Sequence, residues 1–400
     1  MDIFAGFIIL LVAAKILGEL VAYAGYPSLI GEIIAGFILG PSVLSLISVT
    51  PVIQFFGTIG VILLLFITGV EINPKIFRSA RSRMIATGLI ASAIPFVIGY
   101  ALGIVLSLSF SESIFVGIVF MLTSIGISVQ TLMEERQLNT DFGMIIVGGA
   151  VVCAVSGIIM FGILSSLKAE GGLTQYSILA PLVIALLFIL VITTAGKRVF
   201  QFIFDRAQAM HNHALTYAVA FLIACTSAFF SQLLGLTTVV GSFFAGITLN
   251  RSVHEDHDIH ESLHNTAFGI FITVFFAYVG LLMDVPVTSF LSPFILVVIV
   301  VAVMAKVIGG FIGSYPFLKD RIFSLIVGLG MVPRGDLTLA LAQSAIVAGV
   351  ISQQIYTATV LVVLVTVLLT PLFLKIGLNH LKKGLPAVPV SGKGNGGGTQ

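Results

Sequence analysis

Apolar runs of about 20 residues recur from one end of this 400-residue chain to the other, and a run of that length spans a bilayer as an α-helix. The composition agrees, because 58% of the residues are hydrophobic and only 9% are charged. That charged share is about a third of the share in a soluble domain. The pattern predicts an all-α polytopic membrane protein that contacts the lipid bilayer, and it excludes a soluble catalytic domain and nucleic-acid binding.

Charged and turn-forming residues divide the apolar runs into thirteen predicted spans. Their approximate boundaries are 3–22, 27–45, 51–70, 85–107, 113–132, 142–165, 176–195, 212–231, 236–250, 267–283, 290–313, 321–346 and 352–375. If the N-terminus lies outside, the inner loops and tail hold fifteen Lys and Arg residues, and the outer loops hold Lys168 alone. This bias predicts a multi-pass protein of the cell membrane with the N-terminus outside and the C-terminus in the cytoplasm.

The membrane body is predicted to occupy residues 1–383, whereas residues 384–400 are rich in Gly, Pro and Ser and predict a disordered tail. The N-terminus lacks the basic region of a cleaved signal peptide, so we expect the first span to be retained. Cys153 and Cys225 fall in separate spans, which favours two buried thiols over a disulfide or a metal pair.

An internal repeat is visible at an offset of 210 positions. Residues 26–41 return as residues 236–250 with the same Gly-x3-Ala-Gly spacing, and residues 94–103 fall on residues 304–313. An odd number of spans separates the two copies, so they would cross the membrane in opposite directions. Such inverted repeats are typical of secondary transporters, although generic helix packing through small residues is the alternative. The predicted copies extend over residues 26–135 and 236–345.

The same offset places residues 121–126 on residues 331–336, and both segments contain helix-interrupting residues. Pro333 and Gly335 interrupt one span, and a small polar run interrupts the other. Two facing broken helices would expose backbone carbonyls and helix ends near the membrane centre, where transporters bind ions. Kinks that serve packing alone are the alternative.

Few charges lie inside the spans, and each is costly in hydrocarbon, so each is a functional candidate. Lys306 is the deepest. Glu32 is expected to pair with Arg334 or with the backbone of a broken helix. Glu71 follows the third span, where capping a helix or extending to the membrane interface is as consistent with its position as a role in transport. The charged residues within the spans are Lys15, Glu19, Glu32, Glu71, Lys306, Arg334 and Asp336.

Successive motifs resemble the NapA-type sodium/proton and KefC-type potassium/proton antiporters over nearly all the spans. The motifs are GEIIAGFILGPSVL (31–44), LLLFITGVEIN (63–73), MLTSIGISVQTL (121–132), the Lys306 segment and GMVPRGD (330–336). The resemblance implies a transporter, not an enzyme, that forms a homodimer and exchanges Na⁺, Li⁺ or K⁺ for protons without a bound cofactor. It also implies an elevator-like core domain beside a dimerisation domain, with Thr123, Ser124 and Ser128 in one crossing helix and Lys306 beside the ion site.

The sixth span departs from that family. Where the family carries a pair with at least one Asp, this chain has Cys153-Ala154. The hydroxyls of Thr123, Ser124 and Ser156 remain, but neutral oxygens alone would bind sodium weakly. Three explanations stay open. The chain could be an impaired antiporter, natural or engineered, or the site could be misaligned. Alternatively, the substrate or the coupling could differ, as in an uncoupled or anion-handling transporter or channel in which an anion accompanies Lys306.

A loop between the ninth and tenth spans carries four histidines among acidic residues, with spacings that place several on one helical face. Such a cluster suits a pH sensor or a surface metal site, and a solvated amphipathic linker at the membrane interface is the alternative. The pH-sensing candidates are His254, His257, His260 and His264.

Overall fold

The computed structural model describes residues 3–168, 175–210, 213–254, 256–284 and 292–384, and the regular secondary structure in these ranges is entirely helical. In chain order the helices are α1 (Ile3–Tyr23), α2 (Ser28–Leu39), α3 (Pro51–Glu71), α4 (Pro74–Val105), α5 (Phe110–Met121), α6 (Ile125–Glu134), α7 (Asp141–Lys168), α8 (Gln175–Val191), α9 (Lys197–Ala209), α10 (His213–Leu233), α11 (Thr238–His254), α12 (His257–Thr266), α13 (Ile272–Leu281), α14 (Pro293–Leu318), α15 (Arg321–Gly330), α16 (Asp336–Val347) and α17 (Gln353–Gly384).

Ten helical segments in the described part of the chain are long and apolar enough to cross a membrane, and three further apolar helices are shorter. The prediction of an all-α, multi-pass membrane protein is therefore confirmed. The count of thirteen spans and the sidedness of the termini stay predictions. The predicted tail lies outside the described residues from position 385 onward.

Polar residues fix several helix ends. Asn73 accepts hydrogen bonds from the first turn of α4, which also begins with Pro74, a residue suited to that position. Ser109 and Glu112 form a reciprocal capping box at the start of α5, and Asp320 caps α15. Two π-helical turns, Ile192–Gly196 and Ala267–Phe271, continue α8 into α9 and α12 into α13.

The helices pack as two groups. We call α4–α7 with α14–α17 the crossing group, and α1–α3 with α10–α13 the flanking group. Helix α8 packs on α7 of the first group, and α9 packs on α10 and α11 of the second, so the α8–α9 segment bridges them. The groups also meet where α3 faces α6 and where α2 faces α17.

Glycines allow two very close helix contacts in the flanking group. A Cβ at Gly36 of α2 would overlap the Ala277 carbonyl of α13, and a Cβ at Gly246 of α11 would overlap the Phe66 carbonyl of α3. Small residues at such contacts let backbones approach in membranes, where packing rather than hydrophobicity holds helices together. The GEIIAGF and GSFFAGI segments thus place their glycines at equivalent contacts.

Both predicted helix interruptions are present in the crossing group. Residues 122–124 separate α5 from α6, and residues 331–335 separate α15 from α16. Pro333 lacks an amide hydrogen and disfavours helical geometry at Val332, which accounts for the second break. Each break leaves one helix with free carbonyls and the next with free amides.

Candidate functional site

The two interrupted segments cross and are joined by hydrogen bonds. The Ser124 amide donates to the Pro333 carbonyl at 2.6 Å. The Thr123 hydroxyl donates to the Met331 carbonyl at 3.0 Å, and the Ser128 hydroxyl donates to the Gly330 carbonyl at 2.6 Å. The predicted hydroxyl residues therefore satisfy carbonyls left free where α15 ends, while their oxygen lone pairs remain able to accept.

Lys306 is fully buried on α14 and points at the end of α5. Its Nζ donates to the Met121 carbonyl at 2.5 Å and to the Ala91 carbonyl at 2.8 Å, and it lies 3.4 Å from the Cys153 Sγ. The Cys153 thiol itself donates to the Gly88 carbonyl at 3.5 Å. Free carbonyls at a helix C-terminus carry partial negative charge, so the ammonium is stabilised by backbone rather than by a carboxylate.

Arg334 is also fully buried and binds the same helix end. Its guanidinium donates to the Val119 carbonyl at 3.4 Å, to the Phe120 and Ala302 carbonyls at 3.0 Å each, and to the Val332 carbonyl. Among the side chains that the structure describes, no carboxylate forms an ion pair with Arg334 or Lys306. The C-terminal end of α5 thus holds two cations.

A partly open cavity of about 240 Å³ lies beside the crossing. Thr123, Ser124 and Ala154 line it, together with residues at the start of α11. That volume is well above the roughly 10–15 Å³ that one water needs on the same measure, so the cavity can hold a hydrated monovalent cation. Cys153 contacts Lys306, Ala154 faces the cavity, and Ser156 is half-buried further along α7.

The predicted partner of Glu32 is wrong. The buried Glu32 carboxylate accepts a hydrogen bond from the Thr273 hydroxyl of α13 at 2.8 Å, within the flanking group, and it contacts neither Arg334 nor a broken-helix backbone. Arg334 already has carbonyl partners on α5 and α14, which accounts for the difference. Asp336 is the first residue of α16, and its side chain lies outside the described set.

Glu71 and the histidines meet at the end of α3, away from the crossing. Glu71 is the last residue of α3, and its carboxylate lies 3.9 Å from the His260 Nε2. His257 and His260 lie on α12 with His264, whose ring stacks on Phe268 at 4.2 Å. The side chain of His254, the last residue of α11, lies outside the described set. No cluster of three possible metal ligands occurs among the described residues. A pH-sensing role for the histidines stays a prediction.

Three further hydroxyl residues that were not predicted from the sequence line the cavity. Thr237 directly precedes α11, Thr238 is the first residue of α11, and Thr338 lies in the first turn of α16. All three line the cavity. Thr338 lies 210 positions after Ser128, so the repeat offset would have identified it. The buried Thr237 hydroxyl has no hydrogen-bond partner in the described structure.

The crossed broken helices, the buried cations and the adjoining cavity define a secondary transporter of the membrane. Residues 6–379 match the family described as "Sodium/hydrogen exchanger, transmembrane". The chain belongs to this family.

Curated relatives agree with that assignment. The chain is 28% identical over 379 residues to the Na⁺/H⁺-K⁺ antiporter GerN of Bacillus cereus, covering 95% of this chain and 97% of GerN. It is 29% identical over 375 residues to a Na⁺/H⁺ antiporter of Enterococcus hirae, covering 93% and 97% of the two chains. The relatives are transporters that carry ions as substrates and are not enzymes.

Solved structures share the fold. The sodium proton antiporter MjNhaP1 of Methanocaldococcus jannaschii aligns with a TM-score of 0.72 at 16% identity, over 96% of this chain and all of that one. A second structure of MjNhaP1, at pH 8, aligns with a TM-score of 0.69 at 17% identity. At these identities the likeness concerns the fold alone.

Proposed function

We propose that this chain is a monovalent cation/proton antiporter whose ion site is the cavity beside the crossed helices, exchanging Na⁺, Li⁺ or K⁺ for protons by alternating access. The observation that carries the proposal is the cavity wall itself, where Thr123 and Ser124 stand next to position 154 on α7. Their hydroxyl oxygens are suitable ligands for a hard monovalent cation. The known activities of the relatives favour this function over an uncoupled or anion-handling transporter.

We further propose that exchange is impaired as the sequence stands. A site that binds a cation and a proton in competition needs an ionisable oxygen ligand, and Cys153 and Ala154 supply none. Lys306 can carry a proton but cannot coordinate sodium. Hydroxyl oxygens would then hold the cation without a balancing negative charge, so affinity would be low.

The test is a pH-gradient dye assay in proteoliposomes with added Na⁺, Li⁺ or K⁺. The unmodified chain is expected to give little or no exchange, and Cys153→Asp with Ala154→Asp is expected to restore it. The control is the same double variant with Lys306→Ala added. Recovered exchange at a coupled site should be lost in this control, whereas a nonspecific leak would persist because it does not require the lysine. Robust exchange by the unmodified chain would contradict the impairment, and no exchange by any variant would contradict the function.

An inverted repeat is proposed as the basis of the alternating access. Its support is the recurrence of helix contacts: a Cβ at Gly31 would overlap the Leu17 carbonyl, and a Cβ at Gly241 would overlap the Ser227 carbonyl. Both members of the second pair lie 210 positions after those of the first. Superposition of residues 26–135 on 236–345 through an axis in the membrane plane is expected, and a parallel relation would refute it.

The two helix groups suit the proposed elevator. We assign the crossing group to the moving core and the flanking group to a dimerisation domain in a homodimer, since few helices join the groups. The proposed membrane is the plasma membrane, with the N-terminus outside and the C-terminus inside. Cross-linking in membranes tests the dimer, and protease accessibility of tags at the two termini tests the orientation.

A further inference from the structure

Two tight corners of the flanking group follow the same backbone path. Residues 24–27 join α1 to α2, and residues 234–237 join α10 to α11, with the same succession of turn, bend and extended residues. Gly25 and Gly235 have φ values of 84° and 76°, a left-handed conformation that glycine adopts without strain. The corners are structurally equivalent and lie 210 positions apart in sequence.

The first corner is bonded to α6 of the crossing group. The Ser28 hydroxyl donates to Oε1 of Glu134 at 3.1 Å, and the Gln130 side-chain amide donates to the same oxygen at 2.9 Å. Ser28 belongs to the flanking group, whereas Gln130 and Glu134 belong to the crossing group. A carboxylate on α6 therefore bridges the two groups with charge-assisted hydrogen bonds.

A lysine of α17 makes a second connection to the same corner. Lys375 Nζ donates to the Gly25 carbonyl and lies 5.8 Å from the centre of the Tyr26 ring. It is also 3.7 Å from the Glu135 carboxylate of its own group. Lys375 thus binds the crossing group through a carboxylate and the flanking group through a carbonyl and a ring.

Among the residues that the structure describes, none makes these connections at the second corner, which borders the cavity. Thr238 and Ala340, which lie 210 positions after Ser28 and Gln130, are both cavity-lining residues. Where α6 has its bridging glutamate, α16 has Ser344, whose hydroxyl donates to the carbonyl of Ala340 in its own helix at 2.9 Å. One corner is therefore joined to the crossing group, and its equivalent is separated from the crossing group by a cavity.

We propose that Ser28, Gln130, Glu134 and Lys375 form a latch that closes the pathway at the first corner while the pathway at the second corner is open. Release of the latch lets the crossing group move and exposes the ion site at the opposite face. Glu134 and Lys375 act here as positioning residues, since neither contacts the cavity. The inference rests on the proposed alternating-access function. It identifies the contacts that stabilise the state in which the pathway is open at the second corner.

Equivalent reporter positions on the two corners test the latch. Leu29 is fully buried beside the first corner, and Val239, 210 positions later, lines the cavity. Leu29→Cys and Val239→Cys are introduced separately and treated with a small methanethiosulfonate reagent in detergent, where both faces are accessible. Mass spectrometry measures labelling at each site and separates it from labelling of Cys153 and Cys225.

Without further change, Val239→Cys is expected to react and Leu29→Cys to stay protected. Glu134→Ala and Lys375→Ala are each expected to raise Leu29→Cys labelling by about tenfold, the factor for losing one hydrogen bond to a charged group, and to lower Val239→Cys labelling. Glu134→Gln, which keeps an acceptor oxygen for Ser28, is expected to give a smaller change. Glu112→Ala is the matched control, because Glu112 bonds Ser109 and Ser352 and so joins no flanking helix.

Unchanged Leu29→Cys labelling in both Glu134→Ala and Lys375→Ala would overturn the latch. A joint rise at both reporters would also overturn it, because that result means general loosening rather than alternation. Ser28→Ala replaces any variant that is not monodisperse on size exclusion. The readout needs no transported ion. Absent exchange by the Cys153→Asp/Ala154→Asp variant in proteoliposomes would therefore refute the proposed function alone, and unchanged labelling would refute the latch alone.

Discussion

A single carboxylate at position 154 tests where the cation binds. Ala154 faces the cavity together with Thr123 and Ser124, whereas Cys153 faces Lys306. The variant Ala154→Asp therefore places a carboxylate among the cavity hydroxyls. The variant Cys153→Asp places it instead against the buried ammonium, so the two neighbouring substitutions separate cation binding from charge pairing.

The size of the effect follows from Coulomb's law. A carboxylate about 4 Å from a monovalent cation contributes about 4 kcal/mol at an effective dielectric constant of about 20. That energy corresponds to about a thousandfold in affinity. Partial loss of water from both ions offsets some of the attraction, so the expected net gain is on the order of a hundredfold.

The assay measures the cation concentration that gives half-maximal exchange in proteoliposomes with a pH-sensitive dye. Ala154→Asp is expected to lower that concentration by on the order of a hundredfold or to bring exchange into the measurable range. Cys153→Asp is expected to raise the unfolding temperature through its pairing with Lys306 and to change cation affinity less. An equal or larger affinity gain from Cys153→Asp, or no gain from Ala154→Asp, would refute the assignment of the cavity as the cation site.

Three further predictions have defined outcomes. Lys306→Met leaves two buried carbonyls without their donor and is expected to cost about 1–3 kcal/mol for each, measured by thermal unfolding in detergent. Gly36→Ala is expected to prevent folding because its Cβ would overlap a backbone carbonyl, whereas Gly162→Ala, with no atom within 4 Å, is expected to be tolerated; size exclusion measures both. Replacing the four histidines of residues 254–264 is expected to shift the pH profile of exchange without abolishing it, and an unchanged profile would leave the linker interpretation.

Features set by local chemistry were predictable from the sequence. The breaks at residues 122–124 and 331–335 follow from Pro333, Gly335 and small polar residues in otherwise apolar spans. The burial of Lys306 follows from its position in the middle of a long apolar run. These inferences succeed because the bilayer requires satisfied backbone groups, so an interruption or a charge at mid-span is visible without knowledge of its neighbours.

Features set by tertiary packing were not predictable. Glu32 accepts a hydrogen bond from Thr273, a residue 241 positions away, and no local sequence pattern predicts that contact. The Thr123 and Ser128 hydroxyls donate to the carbonyls of Met331 and Gly330, where α15 ends, whereas their residue types suggested only ion ligands. A hydroxyl can donate a hydrogen bond to a carbonyl and can also accept an ion on its oxygen. Which carbonyl it bonds depends on how the two broken helices cross.

The arrangement of the two buried cations explains how the fold accommodates Lys306 and Arg334 without a carboxylate partner among the described residues. Removing one partner of a buried ion pair normally leaves an uncompensated charge and is strongly destabilising. Here the Lys306 ammonium has two carbonyl acceptors and the Arg334 guanidinium has four. Half of these six carbonyls lie at the end of α5, where the helix dipole also favours positive charge. Hydrogen bonds of this charged kind contribute about 1.5–3 kcal/mol each, so backbone groups can replace the stabilising role of a carboxylate. They cannot replace its role as a cation ligand, because those carbonyls are already occupied by donors. We therefore infer that the Cys153-Ala154 pair is compatible with the fold and acts against cation affinity.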